Sequence, residues 1–215
     1  MGLAIIKRLR NKIFTEKNQQ VKLNRILDFV PEISKGDIII DCGANIGDVI
    51  KPISNIGCKI IAFEPNPYAF KVLYQKFKNS KNVKCISKAI STSNGKAKLY
   101  LHENSEKDNL FWSTGSSLLN NKINVNKKNY VFVEKIDFSK YLLSIEKDIK
   151  VVKIDIEGEE ISVLNQIIDY GLHNKIHHIL VETHQKKIPS QNVELDKLKK
   201  RIIKMNISNI SLEWH

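Results

Sequence analysis

Residues 38–47 read IIIDCGANIG, and this stretch decides the fold that we expect for the chain. The apolar run Ile38–Asp41 predicts a short buried strand, and a helical pattern follows over Gly47–Asn55. Gly43 allows the backbone to approach a ligand closely, and Gly47 allows the helix to begin tightly. Because ligands bind at the carboxyl ends of the strands in a doubly wound sheet, the stretch predicts a ligand site at this first turn.

The same alternation of strand and helix continues along the chain. Short apolar segments predict further strands over Lys59–Phe63, Val83–Ile86, Val151–Ile156, His178–Glu182 and Ile207–Trp214, with helices over Tyr68–Lys78, Glu159–Tyr170 and Val193–Met205. Continuous β-branched runs that alternate with helices are typical of an α/β fold with a mostly parallel, doubly wound sheet. Two extra strands over Lys96–His102 and Tyr130–Ile136 interrupt the pattern and predict an inserted β-hairpin.

The length and the charge limit the classes of protein. A chain of 215 residues fits one domain, which we place at residues 36–215, preceded by a helical segment at residues 1–35. No apolar run approaches the roughly 18 residues of a membrane span and no secretory signal is evident, so we expect a cytoplasmic protein. The net charge of +12 comes mostly from scattered lysines, which argues against nucleic acid as the partner.

The first helix of the N-terminal segment has a basic face. Lys7, Arg8, Arg10 and Lys12 line its polar side. We interpret it as a capping helix on the domain, and the alternative is peripheral contact with an anionic membrane surface.

Two acids follow neighbouring strands at a spacing that suits a nucleoside cofactor. Asp41 ends the first strand, where it would repel a pyrophosphate and attract a cationic group such as an ammonium; the alternative is a helix cap. Glu64 comes 23 residues later, at the end of the second strand, where an acid can accept hydrogen bonds from both ribose hydroxyls. An acid for a ribose together with an acid for an ammonium predicts S-adenosylmethionine rather than NAD.

A second group of acids follows the strand predicted at residues 151–156. Asp155 and Glu157 come before the next helix, at the ligand-binding edge of the sheet. Glu159 and Glu160 lie in the first helical turn, where the helix dipole alone explains acidic residues. We therefore assign catalytic roles to the first pair and none to the second.

The strand predicted at residues 178–182 ends with a polar pair. Strand alternation places Glu182 and His184 on one side, at the edge that also holds Asp155. We predict His184 as the general base, oriented by Glu182 or Asp155, because imidazole titrates near neutral pH. A competing and less favoured hypothesis is that Asp155, Glu182 and Glu157 are ligands of Mg²⁺, since carboxylate oxygens suit a hard cation.

The polar, Asn-rich stretch at residues 104–129 has no helical or strand period. A loop of this length in a compact domain is typically a lid, a binding loop or a disordered insertion. Trp112, Ser116 and Ser117 offer an aromatic surface for stacking on a carbohydrate and hydroxyls for hydrogen bonds. We predict a lid that binds the substrate, with a disordered surface insertion as the alternative.

Taken together, the chain resembles the FkbM family of S-adenosylmethionine-dependent methyltransferases. The resemblance rests on pieces that occur in the family's order, namely DCGANIG at 41–47, FEPNP at 63–67, GSSLL at 115–119, Val133–Asp137, KIDIEGEE at 153–160 and VETH at 181–184. It implies a class I methyltransferase fold with a Rossmann-like sheet. It also implies O-methylation, in most members of a hydroxyl on a sugar, glycan or secondary metabolite, so the expected partner is a small-molecule or glycan acceptor.

The resemblance also implies which residues hold the cofactor. Asp41, Gly43, Asn45 and Gly47 would lie along the methionine part, Glu64 would hold the ribose, Asn66 would lie beside the adenosine, and Lys88, Ala89 and Ile90 would contact the adenine. One departure concerns the end of the sheet. Only one predicted strand follows the last helix, where class I sheets usually end in an antiparallel pair, so the sheet either has six strands or is completed by the hairpin.

Two other functions stay open at this point. The net charge is compatible with a methyltransferase that acts on RNA or protein, although the Asn/Asp-Pro-Pro-aromatic turn of many amino-group methyltransferases is absent after residues 151–156. A non-catalytic nucleotide-binding scaffold would explain the glycine turn and Glu64. It would leave Asp155, Glu157 and His184 without a role, so an O-methyltransferase is the function we predict.

Overall fold

The computed structural model describes Ile26, residues 29–30 and residues 32–214 of the chain. The predicted helical segment at residues 1–35, including its basic face, therefore lies almost entirely outside the described residues. Ile26 and Val30 are described, and both are buried in the core. None of the helices in the described part of the chain is long and apolar enough to cross a membrane.

Strands and helices alternate through most of the described chain. The strands are β1 (Ile38–Cys42), β2 (Lys59–Phe63), β3 (Val83–Ile86), β4 (Ala89–Ser91), β5 (Gly95–His102), β6 (Val125–Asp137), β7 (Ile149–Ile154), β8 (Ile176–Val181) and β9 (Ile210–Ser211). The helices are α1 (Ile50–Ser54), α2 (Pro67–Phe77), α3 (Phe138–Leu143), α4 (Glu160–Asp169) and α5 (Asn192–Lys204). Short 3₁₀ helices cover Phe111–Gly115, Leu172–Lys175 and Pro189–Gln191.

The main sheet is parallel and has the order β3-β2-β1-β7-β8-β9. The chain fills the sheet from β1 outward on one side and from β7 outward on the other. The strand order therefore reverses between β1 and β7, and ligands bind beside such a reversal. The six-strand version of the prediction is confirmed for the described residues, although β9 is only Ile210–Ser211 where the sequence predicted a strand over residues 207–214.

Apolar side chains fill both faces of this sheet. On one face Leu142, Leu164 and Leu198, from α3, α4 and α5, belong to one buried cluster. On the other face Ile50 and Leu73, from α1 and α2, belong to a second. Each fully buried aliphatic side chain contributes roughly 2 kcal/mol. The two clusters confirm the doubly wound α/β fold.

The predicted hairpin is confirmed, but it does not complete the main sheet. β5 and β6 pair antiparallel, and β4 pairs parallel with β6, so the three strands form a separate sheet in the order β4-β6-β5. The short strand β4 directly follows β3 and leads the chain into this second sheet. The predicted loop at residues 104–129 is shorter than expected because β6 already begins at Val125.

Several elements end or begin earlier or later than the pattern predicted. β7 ends at Ile154 and β8 at Val181, so Asp155 and Glu182 are the first residues beyond the two strands. α1 begins at Ile50, three residues after Gly47, whose φ of +79° is not helical. The carboxyl ends of β1, β2, β7 and β8 thereby carry the predicted site residues at one edge of the sheet.

Candidate cofactor and active site

A cavity of about 480 Å³ lies at this edge, with walls from the main sheet, the second sheet and the 3₁₀ helix Phe111–Gly115. The predicted site residues on its wall are Gly43, Asn45, Glu64, Lys88, Ala89, Trp112, Ser116, Asp155, Glu157 and Glu182. The predicted site residues that are buried behind the wall are Asp41, Gly47, Asn66, Ser117 and His184. The fold therefore brings the predicted set to one place but leaves part of it out of direct reach of a ligand.

The first turn brings the backbone that follows β1 against the backbone that follows β7. Gly43 has a φ of +84°, and a Cβ at this position would lie 1.8 Å from the carbonyl oxygen of Asp155. Gly47 instead lies against side chains of α2. A Cβ at this position would lie 2.6 Å from the ring of Phe77 and 2.7 Å from Leu73. Gly43 thus shapes the cavity wall, whereas Gly47 allows α2 to pack against the turn.

Glu64 is held rigidly at the end of β2. Its Oε2 accepts a hydrogen bond of 2.8 Å from the backbone N–H of Asn45, and its Oε1 accepts one of 2.7 Å from the backbone N–H of Asn66. The side chain lines the cavity although the residue is only 5% exposed, and burial raises its pKa to about 7. Each oxygen keeps a second lone pair, so the carboxylate can accept two more hydrogen bonds from a ligand.

Two asparagines connect the turns that follow β1 and β2 to the segment that follows β5. Asn66 caps α2 by accepting from the backbone N–H of Tyr68, and its Nδ2 donates to Oγ of Ser116 over 3.0 Å. Asn45 has a φ of +47°, and its Nδ2 donates to Oγ of Ser113 over 2.9 Å. Asn66 therefore acts on the site through Ser116 and the position of Glu64 rather than by lining the cavity.

Asp41 pairs with a lysine of this chain. Nζ of Lys153 lies 3.1 Å from Oδ1 of Asp41 and 3.2 Å from Oδ2 of Asp155, and it donates to the carbonyl oxygen of Gly43. Burial alone would lower the pKa of Lys153, but the two carboxylates raise it, so the ammonium stays charged. The ammonium that we expected Asp41 to attract is thus supplied internally. Because β7 contains Lys150 as well as Lys153, a lysine in this strand does not by itself mark the pair.

His184 lies behind the cavity wall with both ring nitrogens facing carboxylates. Nδ1 lies 2.9 Å from Oε1 of Glu160, whereas Nε2 lies 3.1 Å from Oε2 of Glu157 and 3.7 Å from Oδ1 of Asp155. Burial alone would lower the pKa of His184, but the hydrogen bond to Glu160 and the three negative charges raise it. The residue that orients the ring is therefore Glu160, not Glu182 or Asp155 as the sequence predicted.

Glu160 was assigned only a helix-dipole role, and this was wrong. It is 1% exposed, and its Oε1 also accepts from the backbone N–H groups of Ile156 and Gly158. Sequence position could not separate it from Glu159, whose Oε2 instead accepts from Oγ of Ser91 on β4.

Glu157 adopts a backbone conformation that few non-glycine residues adopt. Its φ is +61°, and it is followed by Gly158 at +138°. Oε2 of Glu157 lies 2.5 Å from Nζ of Lys122, a lysine that is 2% exposed and also donates to the carbonyl oxygen of Gly115. Burial lowers the pKa of Lys122 although Glu157 opposes the shift. No pattern in the polar loop marked Lys122 as a site residue.

Glu182 completes the acidic side of the cavity. It lines the wall, and its Oε1 lies 3.8 Å from Nε2 of His184. Burial, followed by the charge of Asp155, raises the pKa of Glu182. Among the described residues, the ligand atoms of Asp155, Glu157 and His184 lie within 4.8 Å of one another. The metal alternative named Asp155, Glu182 and Glu157, so the compact group contains the histidine in place of Glu182.

The segment between β5 and β6 is folded against the site. Trp112 lines the cavity and stacks on His102, with ring centroids 4.3 Å apart and an angle of 17° between the planes. Oγ of Ser117 donates to the carbonyl oxygen of Glu157, and Ser117 is fully buried. Ser117 therefore fixes the turn after β7, while Trp112 and Ser116 remain able to touch a ligand.

The family to which the chain belongs follows from its sequence over most of this fold. The model of the methyltransferase FkbM domain matches residues 41–205. The chain is a member of the FkbM methyltransferase family. The match spans every strand from the end of β1 to β8 together with α5, and so includes all of the residues that line the cavity. No curated protein shows significant similarity to this FkbM domain.

Several solved structures that match the FkbM domain are methyltransferases. The putative methyltransferase SMU.1697c from Streptococcus mutans, in complex with SAH, is 13% identical, with 84% of this chain and 81% of that chain covered and a TM-score of 0.45. Precorrin-6y C5,15-methyltransferase from Geobacter metallireducens is 15% identical, with 84% and 69% covered and a TM-score of 0.43. For P. horikoshii TYW2 in complex with MeSAdo, the match at 22% identity covers 32% of this chain and 26% of that chain, with a TM-score of 0.27.

The expected fold class is confirmed. The FkbM domain has a Rossmann-like α/β fold, with a parallel main sheet, helices on both faces and the inserted hairpin in a second sheet.

Proposed function

We propose that this FkbM domain binds S-adenosylmethionine in the cavity and methylates a hydroxyl group of a sugar, glycan or secondary metabolite. The observation that carries the proposal is the position of Glu64. Its two carboxylate oxygens are fixed by the backbone N–H groups of Asn45 and Asn66, and their remaining lone pairs are available to the two hydroxyls of a ribose.

The rest of the wall supports the same ligand. Gly43 lines the cavity and has no side chain, so a ligand can lie against the backbone of the first turn. Lys88 and Ala89 line the part of the cavity that follows β3, where an adenine would be held. The volume of about 480 Å³ lies within the usual range for a cofactor pocket. When bound, S-adenosylmethionine supplies an electrophilic methyl group on its sulfonium.

The acceptor would be bound at the acidic side of the cavity. Glu64 follows β2 and Glu182 follows β8, three strand spacings away, which is about 14 Å across the sheet edge. This separation leaves Asp155, Glu157 and Glu182 for a second ligand beside the cofactor. Trp112 offers that ligand an aromatic surface, and Ser116 offers it a hydroxyl.

A hydroxyl group needs a base before it can attack a methyl group. Glu182 lines the cavity wall, and burial together with the charge of Asp155 raises its pKa, so we propose that Glu182 accepts the proton of the hydroxyl group. His184, which the sequence analysis chose as the base, is 5% exposed and has both nitrogens directed at carboxylates, so it positions the acidic residues instead.

The test is transfer of a deuterated methyl group from labelled S-adenosylmethionine into fractionated cell extract, followed by mass spectrometry. We expect label in the small-molecule or glycan fraction, lost in Glu182→Gln and retained in Glu159→Gln. Label in the RNA or protein fraction would instead favour those acceptors. Absence of label in every fraction, with S-adenosylhomocysteine still bound, would favour a non-catalytic scaffold.

A further inference from the structure

We propose that Asp155, Glu157 and His184 bind one divalent ion of the first transition series, such as Mn²⁺ or Zn²⁺, at the acidic side of the cavity. The site is inferred from the geometry of these three residues alone. Only the role of the ion, which is to hold the acceptor oxygen, rests on the proposed function.

The distances between the donor atoms suit a single ion. Nε2 of His184 lies 3.1 Å from Oε2 of Glu157 and 3.7 Å from Oδ1 of Asp155. Metal–ligand bonds of about 2.1 Å place neighbouring donors about 3.0 Å apart in an octahedron and about 3.4 Å apart in a tetrahedron. The separations of 3.1 and 3.7 Å are close to these values, and all three donor atoms lie within 4.8 Å of one another, so one ion can reach them after modest side-chain shifts.

The histidine supplies a nitrogen donor beside the acids. It is 5% exposed, and Nδ1 is directed at Oε1 of Glu160, an oxygen that already accepts from two backbone N–H groups and therefore acts as an acceptor here too. With its proton on Nδ1, the neutral ring directs the Nε2 lone pair at the carboxylates of Glu157, Asp155 and Glu182. Without an ion, a proton on Nε2 meets the same carboxylates, and a divalent ion at this position would replace that proton.

Each of the three donors has its own outer partner. Glu160 holds Nδ1 of His184, and Lys153 holds Oδ2 of Asp155, the oxygen that does not face the histidine. Lys122 pairs with Oε2 of Glu157, the oxygen that faces the histidine, so the ion would share this oxygen with the ammonium or displace it. Histidine and carboxylate ligands of metal sites are characteristically fixed in this way, which sets the ring orientation and the histidine tautomer. The two lysines also balance the two carboxylates, so the ligand set does not carry a large uncompensated negative charge without the ion.

The backbone supports the arrangement at Glu157. A left-handed conformation costs a non-glycine residue roughly 1–2 kcal/mol, and Glu157 adopts it at a φ of +61°. The cost is offset by fixed neighbours, since Ser117 donates to its carbonyl oxygen and Lys122 pairs with its carboxylate. This conformation directs the carboxylate at His184.

The donor types select the kind of ion. Mg²⁺ prefers oxygen ligands and water, whereas an imidazole together with two carboxylates suits Mn²⁺, Fe²⁺, Co²⁺ or Zn²⁺. Because Asp155 and Glu157 line the cavity, the open positions of the ion would face a bound acceptor. There the ion would lower the pKa of the acceptor hydroxyl, and Glu182 would receive the proton.

The test is calorimetric titration of the chelator-treated full-length protein with Mn²⁺, Zn²⁺ and Mg²⁺, without S-adenosylmethionine. We expect one Mn²⁺ or Zn²⁺ per chain, bound at least roughly tenfold more tightly than Mg²⁺. Asp155→Asn and His184→Gln should each weaken binding by roughly ten- to a hundredfold. Glu159→Gln and His177→Gln are the matched controls, since both residues lie outside the cluster, and they should leave the affinity unchanged.

A second measurement uses only the wild-type protein, so its result does not depend on whether the variants fold. Co²⁺ bound to the wild-type protein should give visible absorption bands that Zn²⁺ abolishes in competition. Absence of Co²⁺ bands and of Zn²⁺ binding would overturn the proposal and leave a protonated His184 as the cation of the cluster. Unchanged affinity in both Asp155→Asn and His184→Gln would also overturn it. Glu64→Gln should bind the metal normally while losing S-adenosylhomocysteine, so failure of the metal site and failure of the cofactor site are distinguishable.

Discussion

Nδ1 of His184 lies 2.9 Å from Oε1 of Glu160, and this one oxygen also accepts from the backbone N–H groups of Ile156 and Gly158. Glu160 thereby connects His184, which follows β8, to the turn that follows β7. The turn carries Asp155 and Glu157, so the same contact sets the geometry of the acidic side of the cavity.

Removal of the Glu160 carboxylate should therefore destabilise the protein. Glu160→Ala leaves two backbone N–H groups and a buried imidazole without their acceptor, which should cost about 3 kcal/mol of unfolding free energy. Urea denaturation measures this. Glu159→Ala is the control, and it should cost less than about 1 kcal/mol because only the hydroxyl of Ser91 is lost. Equal losses in both variants would contradict the role of Glu160.

The close approach at Gly43 gives a prediction with a matched control. Gly43→Ala should cost more than about 3 kcal/mol, because its Cβ would overlap the carbonyl oxygen of Asp155. Gly36 has a similar φ of +92° but has no neighbouring atom within 4 Å of a Cβ. Gly36→Ala should therefore lower the unfolding free energy by only about 1 kcal/mol, because alanine disfavours a positive φ. Equal losses of unfolding free energy in the two variants, measured by urea denaturation, would show that the contact with Asp155 does not exclude a side chain at Gly43.

The affinity for S-adenosylhomocysteine should depend on pH through Glu64. Its pKa is about 7 in the folded protein, so the carboxylate that accepts the ribose hydroxyls is protonated as the pH falls below that value. We expect affinity to fall roughly tenfold between pH 8 and pH 6, measured by calorimetry in buffers of matched ionisation enthalpy. Glu64→Gln should bind weakly with no such slope. A flat profile in the wild-type protein would contradict the assignment.

The carboxyl group of Glu64 should also make the unfolding free energy depend on pH. For folding, the protonated form is the favourable one, whereas for cofactor binding it is the ionised form. Because the pKa of Glu64 is raised above the unfolded value of 4.5, the folded protein binds this proton more tightly. The Glu64 contribution should therefore lower the unfolding free energy as the pH rises from about 4.5 to about 7. Comparison with Glu64→Gln across this range isolates the contribution, and an identical pH dependence in both proteins would refute it.

Trp112 should report on occupation of the cavity. It lines the wall, whereas Trp214 is buried beside Phe29 on another part of the sheet. Binding of S-adenosylhomocysteine should change the tryptophan fluorescence, and Trp112→Phe should remove most of the change. Trp214→Phe should keep it. A change that follows Trp214 would mean that the segment around Trp112 does not contact the ligand.

The sequence predicted the parallel sheet well because its signals are local. The runs at Lys59–Phe63 and Val83–Ile86 form strands with those bounds, and Glu64 follows β2 as expected. The edge strand β9 was overestimated, since apolar residues continue to Trp214 although backbone pairing covers only Ile210–Ser211.

The contacts that organise the site were not predictable in the same way. Lys122 reaches Glu157 from a polar loop, and Lys153 reaches Asp41 across neighbouring strands. These pairs depend on tertiary structure, and neither residue belongs to a spacing pattern. Glu160 was missed because its position in a first helical turn has a sufficient local explanation.

The central claim is that the cavity beside Glu64 binds S-adenosylmethionine. Calorimetric titration with S-adenosylhomocysteine, with NAD as the comparison ligand and Glu64→Gln as the variant, tests it most directly. The account predicts micromolar binding of one S-adenosylhomocysteine per chain, at least roughly tenfold weaker in Glu64→Gln, and no binding of NAD. Absence of S-adenosylhomocysteine binding by the folded protein, or equal binding by the variant, would contradict it.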